Sequence, residues 1–185
     1  NYTVTDNLGT LTVTINETTE VKLIAADADQ VYNGSALTKT DDVTWENLPA
    51  GFTVEATSSG SQTNAGSSAN VVNDGFVIKD AGGNDKTANF TNVTKVPGTL
   101  TVNPKAVTIT TGGAEKSYDG SALTNATVTI EGLVDGETVT LTATGSQTEV
   151  GSSNNTYDIT WDNATATNYT VTDNLGTLTV TINET

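Results

Sequence analysis

The chain has 185 residues, 7 basic against 22 acidic side chains, a formal charge of −15, and no Cys, His or Met. That charge excludes neutralisation of phosphates, hence nucleic-acid binding, and disfavours an anionic membrane surface. Without Cys there is no disulfide framework, and without a run of ~18 apolar residues there is no membrane insertion to expect from this segment.

About a fifth of the residues are Thr, with abundant Val, Asn, Ser and Gly and few good helix formers, which is an all-β composition. Apolar alternation persists along most of the chain, so disorder is not the expectation.

The chain opens on the word NYTVTDNLGTLTVTINET, Asn1–Thr18, which returns letter for letter as Asn168–Thr185 at an offset of 167 residues (168 minus 1). Such a recurrence is the mark of a tandem array. Within the word, Tyr2 and Val4 alternate with Thr, Asp6-Asn7-Leu8-Gly9 supplies a turn, and Leu11, Val13 and Ile15 alternate with Thr. Period-two alternation around an Asn/Gly turn predicts a β-hairpin with one apolar and one Thr face. The word at 1–18 is then the closing hairpin of a preceding repeat, and a lone hairpin is expected to be packed on something.

Inside the long period lies a weaker repeat of about half its length. Tyr32-Asn33-Gly34-Ser35-Ala36-Leu37-Thr38 aligns with Tyr118-Asp119-Gly120-Ser121-Ala122-Leu123-Thr124. Gly60-Ser61-Gln62-Thr63 aligns with Gly145-Ser146-Gln147-Thr148, and Gly98-Thr99-Leu100-Thr101-Val102 with Gly176-Thr177-Leu178-Thr179-Val180. Three matches in one order define two similar β-modules, 19–104 and 105–185. Their junction, Val102-Asn103-Pro104-Lys105, has no room for a flexible linker.

In the first repeat, the stretch Gly75–Ala88 is longer than its counterpart and is expected to be an enlarged loop. In the second, strands are expected around Val107–Ile109, Val128–Ile130, Val139–Leu141 and Tyr157–Trp161. The stretch Gly145–Asn155 is expected to be a loop, and Asn168–Ile182 a closing hairpin with Leu178, Val180 and Ile182 inward. About six strands per repeat, with turn signals every 8–12 residues, predict an all-β chain of two tandem small Ig-like β-sandwich modules arranged as a rod.

Concentrated chemistry is scarce. With no His or Cys and no phosphate loop between a strand and a helix, an enzyme is not expected. Asp80, Asn84 and Asp85 share one Gly-bearing loop and are the candidate calcium ligands, although their spacing fits no defined calcium loop. Otherwise that loop is a solvated acidic turn. The pairs Lys22 with Asn103 and Lys105 with Asn183 suggest internal isopeptide bonds, but strand parity turns both Asn outward. Tyr32-Asn33-Gly34 and Tyr118-Asp119-Gly120 are either tight turns with a packed Tyr or paired carbohydrate platforms, the former favoured by the turn chemistry.

The runs Tyr118–Thr124, Glu131-Gly132-Leu133-Val134-Asp135-Gly136-Glu137, Gly145-Ser146-Gln147, and Asn168-Tyr169-Thr170 leading to Gly176–Val180 resemble the MBG-type (mucin-binding-related) β-modules of large bacterial surface adhesins. The resemblance covers both repeats and transfers no binding site. It implies an extracellular, cell-surface location, either attached to the cell wall or secreted. The first repeat departs from the pattern, with Asn33 for Asp119 and Asn47-Leu48-Pro49-Ala50-Gly51 for Gly132–Gly136. Three functions follow as expectations. The leading one is a stalk that extends a distal binding tip, its partners being neighbouring repeats of the same chain. The second is weak, multivalent capture of mucin or host glycans by the repeats themselves. The third is a filament formed by strand exchange.

Overall fold

The computed structural model describes residues 2–14 and 19–184. Described residues fold into strands, with two short 3-10 turns, Thr87–Asn89 and Ala166–Asn168. The all-β expectation therefore holds.

In chain order the strands are β1 (Val21–Ala25), β2 (Ala28–Val31), β3 (Val43–Glu46), β4 (Thr53–Glu55), β5 (Ser58–Ser59), β6 (Gly66–Val72), β7 (Val77–Lys79), β8 (Val93–Val96) and β9 (Gly98–Asn103). The second repeat supplies β10 (Lys105–Thr111), β11 (Ala114–Ser117), β12 (Val128–Glu131), β13 (Val139–Ala143), β14 (Gly151–Asn154), β15 (Tyr157–Trp161), β16 (Tyr169–Asn174) and β17 (Thr177–Thr181). The chain divides into two compact units. Unit 1 takes the described residues up to Asp27, Thr38–Gly60 and Ala69–Thr99; unit 2 takes Ala28–Leu37, Ser61–Ser68 and the described residues from Leu100 on.

Unit 1 is organised on β1, whose alternate residues Val21, Leu23 and Ala25 are buried. It runs antiparallel to β3 (Leu23 opposite Trp45) and parallel to β8 (Leu23 opposite Lys95). Strand β4 pairs antiparallel with β7, placing Val54 opposite Ile78. The core joins Val21, Leu23, Val72, Ile78 and Phe90, with Phe52 and Val54 packed against it. Each large aliphatic buried there contributes roughly 1.5–3 kcal/mol.

Unit 2 is organised on β10, antiparallel to β12 (Ile109 opposite Ile130) and parallel to β16 (Val107 opposite Val171). Strand β17 lies between β11, parallel to it, and β14, antiparallel to it. Strands β13 and β15 pair antiparallel, and β2 runs parallel to Leu100–Asn103 of β9. One scheme thus serves both repeats. The β3-β1-β8 order recurs as β12-β10-β16, β4/β7 as β13/β15, and the bridge Leu37–Gln62 as Leu123–Gln147.

Several sequence expectations need correction. Tyr169–Thr181 makes two strands but no hairpin: β16 pairs with β10, whereas β17 pairs with β11 and β14. The turn-like Leu175-Gly176 carries the chain from one sheet to the other. It passes so close to Gly112 that a Cβ on Gly176 would stand 2.3 Å from the Gly112 carbonyl carbon; Gly98 meets Ala26 O at the same 2.3 Å. Only glycine fits these crossings, and a hairpin reading takes their Gly for a turn residue. Second, Gly151–Asn154, expected as loop, is strand β14. Its polar side chains carry no apolar period, and its pairing with β17 makes it a strand. Third, the Gly75–Ala88 stretch contains β7 as well as a loop, because Ile78 is fully buried opposite Val54. Ile182 also differs: it lies beyond the end of β17 and is exposed.

The N-terminal copy of the word behaves otherwise. No strand is assigned over Tyr2–Thr14, and its Tyr2, Val4, Leu8, Leu11 and Val13 side chains are exposed. Asn1 and 15–18, the remainder of the expected hairpin, lie outside the described residues.

Candidate functional site at the repeat junction

The most concentrated polar chemistry buried among the described residues sits in unit 2, where residues of the first repeat meet the second. Tyr32 follows β2 directly, and its N–H donates to Asn103 O at 2.8 Å. Gly34, two residues on, takes a φ of 80°, as Gly120 does at 78°, so Tyr-Asn/Asp-Gly is a left-handed turn that presents the Tyr. Asn33 Oδ1 accepts the Ser35 N–H at 2.9 Å, and Asp119 Oδ1 does the same for Ser121. The Lys116 ammonium and Ser121 hold the Asp119 carboxyl well below the usual carboxylate range.

The Tyr32 ring meets Tyr169 edge to face at 5.6 Å, and Trp161 stacks on Tyr169 at 5.5 Å. Glu137, just past Gly136, joins the two phenols: Tyr169 OH donates to its Oε2 at 2.5 Å and Tyr32 OH donates to its Oε1. Val134 N–H donates to Tyr169 Oη at 3.0 Å. Asn168 accepts the Ala65 N–H at 2.8 Å and donates to Asn64 Oδ1 at 3.0 Å. Around this polar set, Tyr32 and Val102 of the first repeat share one core with Val107, Ala164 and Tyr169 of the second. The arrangement binds protein to protein.

Carboxylate proximity leaves a titration signature. Burial, followed by the hydrogen bond to Glu137, pushes the Tyr169 phenol up to about 12. Burial, followed by the bond to Asp173, does the same for Tyr157. The hydrogen bond to Glu137, then burial, raises Tyr32. A phenol whose folded pKa lies above its ordinary 10.0 contributes its full stabilisation below pH 10 and loses it as the pH rises toward 12. Ultraviolet titration of the five tyrosines is expected to show Tyr157 and Tyr169 ionising near pH 12. A single wave near pH 10 would contradict this geometry.

Sequence reasoning placed Tyr32 and Tyr118 beside their turns but did not find Glu137, Trp161, Asn168 or Tyr169. Glu137 stands where the first repeat has Phe52, and Tyr169 where it has Phe90, a pair stacked edge to face at 5.4 Å. That paired exchange, Phe/Phe for Glu/Tyr, was the available signal.

The candidate calcium residues fall in one exposed loop of unit 1. Asp80 Oδ1 accepts the N–H groups of Gly82 and Asn84 and the Asn84 side-chain amide. The Asn84 bonds come first among the causes that lower the Asp80 carboxyl. Asp85 turns away to accept the Thr87 N–H and hydroxyl. Asp80 and Asn84 are therefore brought together, while the bonded Asp85 oxygen is taken up by Thr87. Among the described residues no three Asp, Glu, His or Cys side chains converge as a metal site. Asn103, at the end of β9, and Asn183, beyond the end of β17, are both exposed.

Residues 103–176 match the YDG domain family, and the match contains Tyr118-Asp119-Gly120. No curated protein and no solved structure matches the chain.

Proposed function

We propose that this chain is a segment of a stalk in which tandem Ig-like β-sandwich repeats, set end to end as a rod, hold a distal binding tip away from a bacterial cell surface. The observation that carries the reading is the absence of any spacer at the junction: β9 ends at Asn103, Pro104 follows, and β10 begins at Lys105. Supporting it, Tyr32 and Val102 enter the same core as Val107 and Tyr169. A junction built like a domain interior resists bending in a way that a solvated linker does not. The charge of −15 keeps neighbouring stalks soluble and apart. The extracellular placement rests on the resemblance to adhesin modules. Small-angle scattering of the monomer is the test. An extended profile, with a radius of gyration well above the roughly 16 Å of a globule of this length, is expected, and a compact one overturns the stalk.

A second reading, multivalent capture of mucin glycans, has one observation in its favour: Trp45 is exposed on the edge strand β3, a position suited to stacking on a sugar. Saturable binding to immobilised mucin, lost in Trp45→Ala, would favour it. Its loss on chelation would bring Asp80, Asn84 and Asp85 into the mechanism as calcium ligands.

A further inference from the structure

We propose that each repeat is a force-bearing clamp: its first and last segments lie side by side and parallel, so tension along the array loads the bonds between them together, in shear. The clamp rests on the stalk reading, which supplies the tension, because a stalk anchored at one end and bound at its tip is pulled along its chain.

The seam is complete within the second repeat. Its first segment, Lys105–Ser117, supplies β10 and β11, and its last, Tyr169–Thr181, supplies β16 and β17. Strand β10 runs parallel to β16 over six pairs, from Lys105 opposite Tyr169 to Thr110 opposite Asn174. Strand β11 runs parallel to β17 over four pairs, from Ala114 opposite Leu178 to Ser117 opposite Thr181. The offset is 64 in both sheets (169 minus 105, and 181 minus 117). The two segments therefore pass from one sheet to the other together and keep one register. Further bonds bridge the crossing and close the far end. Gly176 N–H donates to Thr111 Oγ1 at 2.9 Å, Tyr118 N–H to Thr181 O at 2.9 Å, and the Asn183 side-chain amide to Tyr118 O at 3.2 Å.

Chain order sets the direction of the load. Tension enters at Lys105, the N-terminal end of the seam, and leaves at Thr181, its C-terminal end. The two segments are then drawn past each other along their own axes. Bonds between parallel strands are evenly spaced, so they share that load, and none gives way until many do. Were the first and last strands antiparallel neighbours, both would leave from the same end of the pair, and tension would peel their bonds one at a time. The bracing fits the direction of pull. Strand β10, where tension enters, and β17, where it leaves, are each the middle strand of three: β10 is held by β12 and β16, and β17 by β11 and β14.

The first repeat carries the same plan with fewer pairs. In unit 1, β1 runs parallel to β8 over four pairs at an offset of 72 (93 minus 21). In unit 2, β2 runs parallel to β9 over four pairs at the same offset (100 minus 28). The loaded strands are again central, β1 between β3 and β8, and β9 between β2 and β6. Tyr32 N–H closes the end on Asn103 O, as Tyr118 N–H does on Thr181 O.

The chain has no Cys, so introduced cysteines are unique handles for pulling the full chain in optical tweezers. Ala106→Cys with Asn174→Cys pulls β10 and β16 from opposite ends, in shear. Ala106→Cys with Thr170→Cys pulls them from the same end, in peel. All three side chains are exposed. Either geometry releases roughly 230 Å of chain, so the direction of load is what differs. At one loading rate the shear pair is expected to hold to about twice the force of the peel pair or more. Thr108→Cys with Asn174→Cys, against Thr108→Cys with Thr172→Cys, repeats the comparison from a second exposed site should a variant of the first set fail to fold. The unmodified chain, pulled by tags at its two ends, is expected to bear a peak force close to that of the shear pair. Equal forces in the two directions, or a peak for the unmodified chain no higher than the peel force, overturn the clamp. Scattering reads the stalk separately. An extended monomer with equal forces keeps the stalk and removes the clamp, whereas a compact monomer with unequal forces removes the stalk and keeps the clamp as a property of the fold.

Discussion

Asn155→Ala is expected to destabilise unit 2 by about 4 kcal/mol, and the matching Asn70→Ala to destabilise unit 1 by only about 2 kcal/mol. Both side chains are fully buried and occupy the same place in the two repeats. Asn155 donates to Gly112 O at 2.9 Å and Asn125 O at 2.8 Å, and its Oδ1 accepts the Gly145 N–H at 3.1 Å. Asn70 makes the two equivalent donations, to Ala26 O and Lys39 O, both at 2.9 Å, but its Oδ1 has no partner. Truncating Asn155 strands three backbone groups. Truncating Asn70 strands Ala26 O, leaves Lys39 O with the Ser58 hydroxyl at 2.7 Å, and removes an oxygen that was already costing free energy. Denaturant unfolding followed through Trp161 for unit 2 and Trp45 for unit 1 checks the ratio. Equal losses would show that the missing bond at Asn70 is of no energetic consequence.

Glu137→Ala is expected to cost about 3 kcal/mol, because it deprives two buried phenols of one charged acceptor. Tyr32→Phe removes one donor and its demand together, so about 1 kcal/mol is expected there. The double variant is expected to cost less than the sum, since Tyr32 and Glu137 share the bond that each single change breaks. The variant also carries a spectroscopic mark: without the carboxylate, Tyr169 is expected to ionise below about 12. Strict additivity, or an unmoved Tyr169, would mean that Glu137 does not link the repeats.

The functional consequence lies in how the two repeats are joined. A carboxylate between phenols contributed by Tyr32 and Tyr169 fixes direction as well as distance, which a purely apolar seam does not. The first repeat, with Phe52 and Phe90 in the corresponding places, offers a plainer surface.

Much of the molecule was legible in the residues. Thr and Val alternation set the strands, the half-period matches set two copies of one pairing scheme, and Tyr-Asn/Asp-Gly set the turns that present Tyr32 and Tyr118. These are local properties, fixed by side-chain period and by the left-handed glycine. The site was less legible, because Glu137, Asn168 and Tyr169 carry no signature until Tyr32 is brought over them from more than a hundred residues away. Strand β14 was hidden for a related reason: Gly151-Ser152-Ser153-Asn154 has no apolar face, and only its partner β17 makes it a strand.

The repeated word draws the line between the two. Sequence by itself determined that Tyr2–Thr14 and Tyr169–Thr181 are the same strand-forming material, apolar on one face and Thr on the other. Tertiary structure alone decided that the second copy is β16 and β17 with Leu178 and Val180 buried, that these strands part into different sheets at Gly176, and that the first copy has no strand at all. The reason is physical: a strand has no internal hydrogen bonds, so its N–H and C=O groups and its apolar face are satisfied only by neighbours.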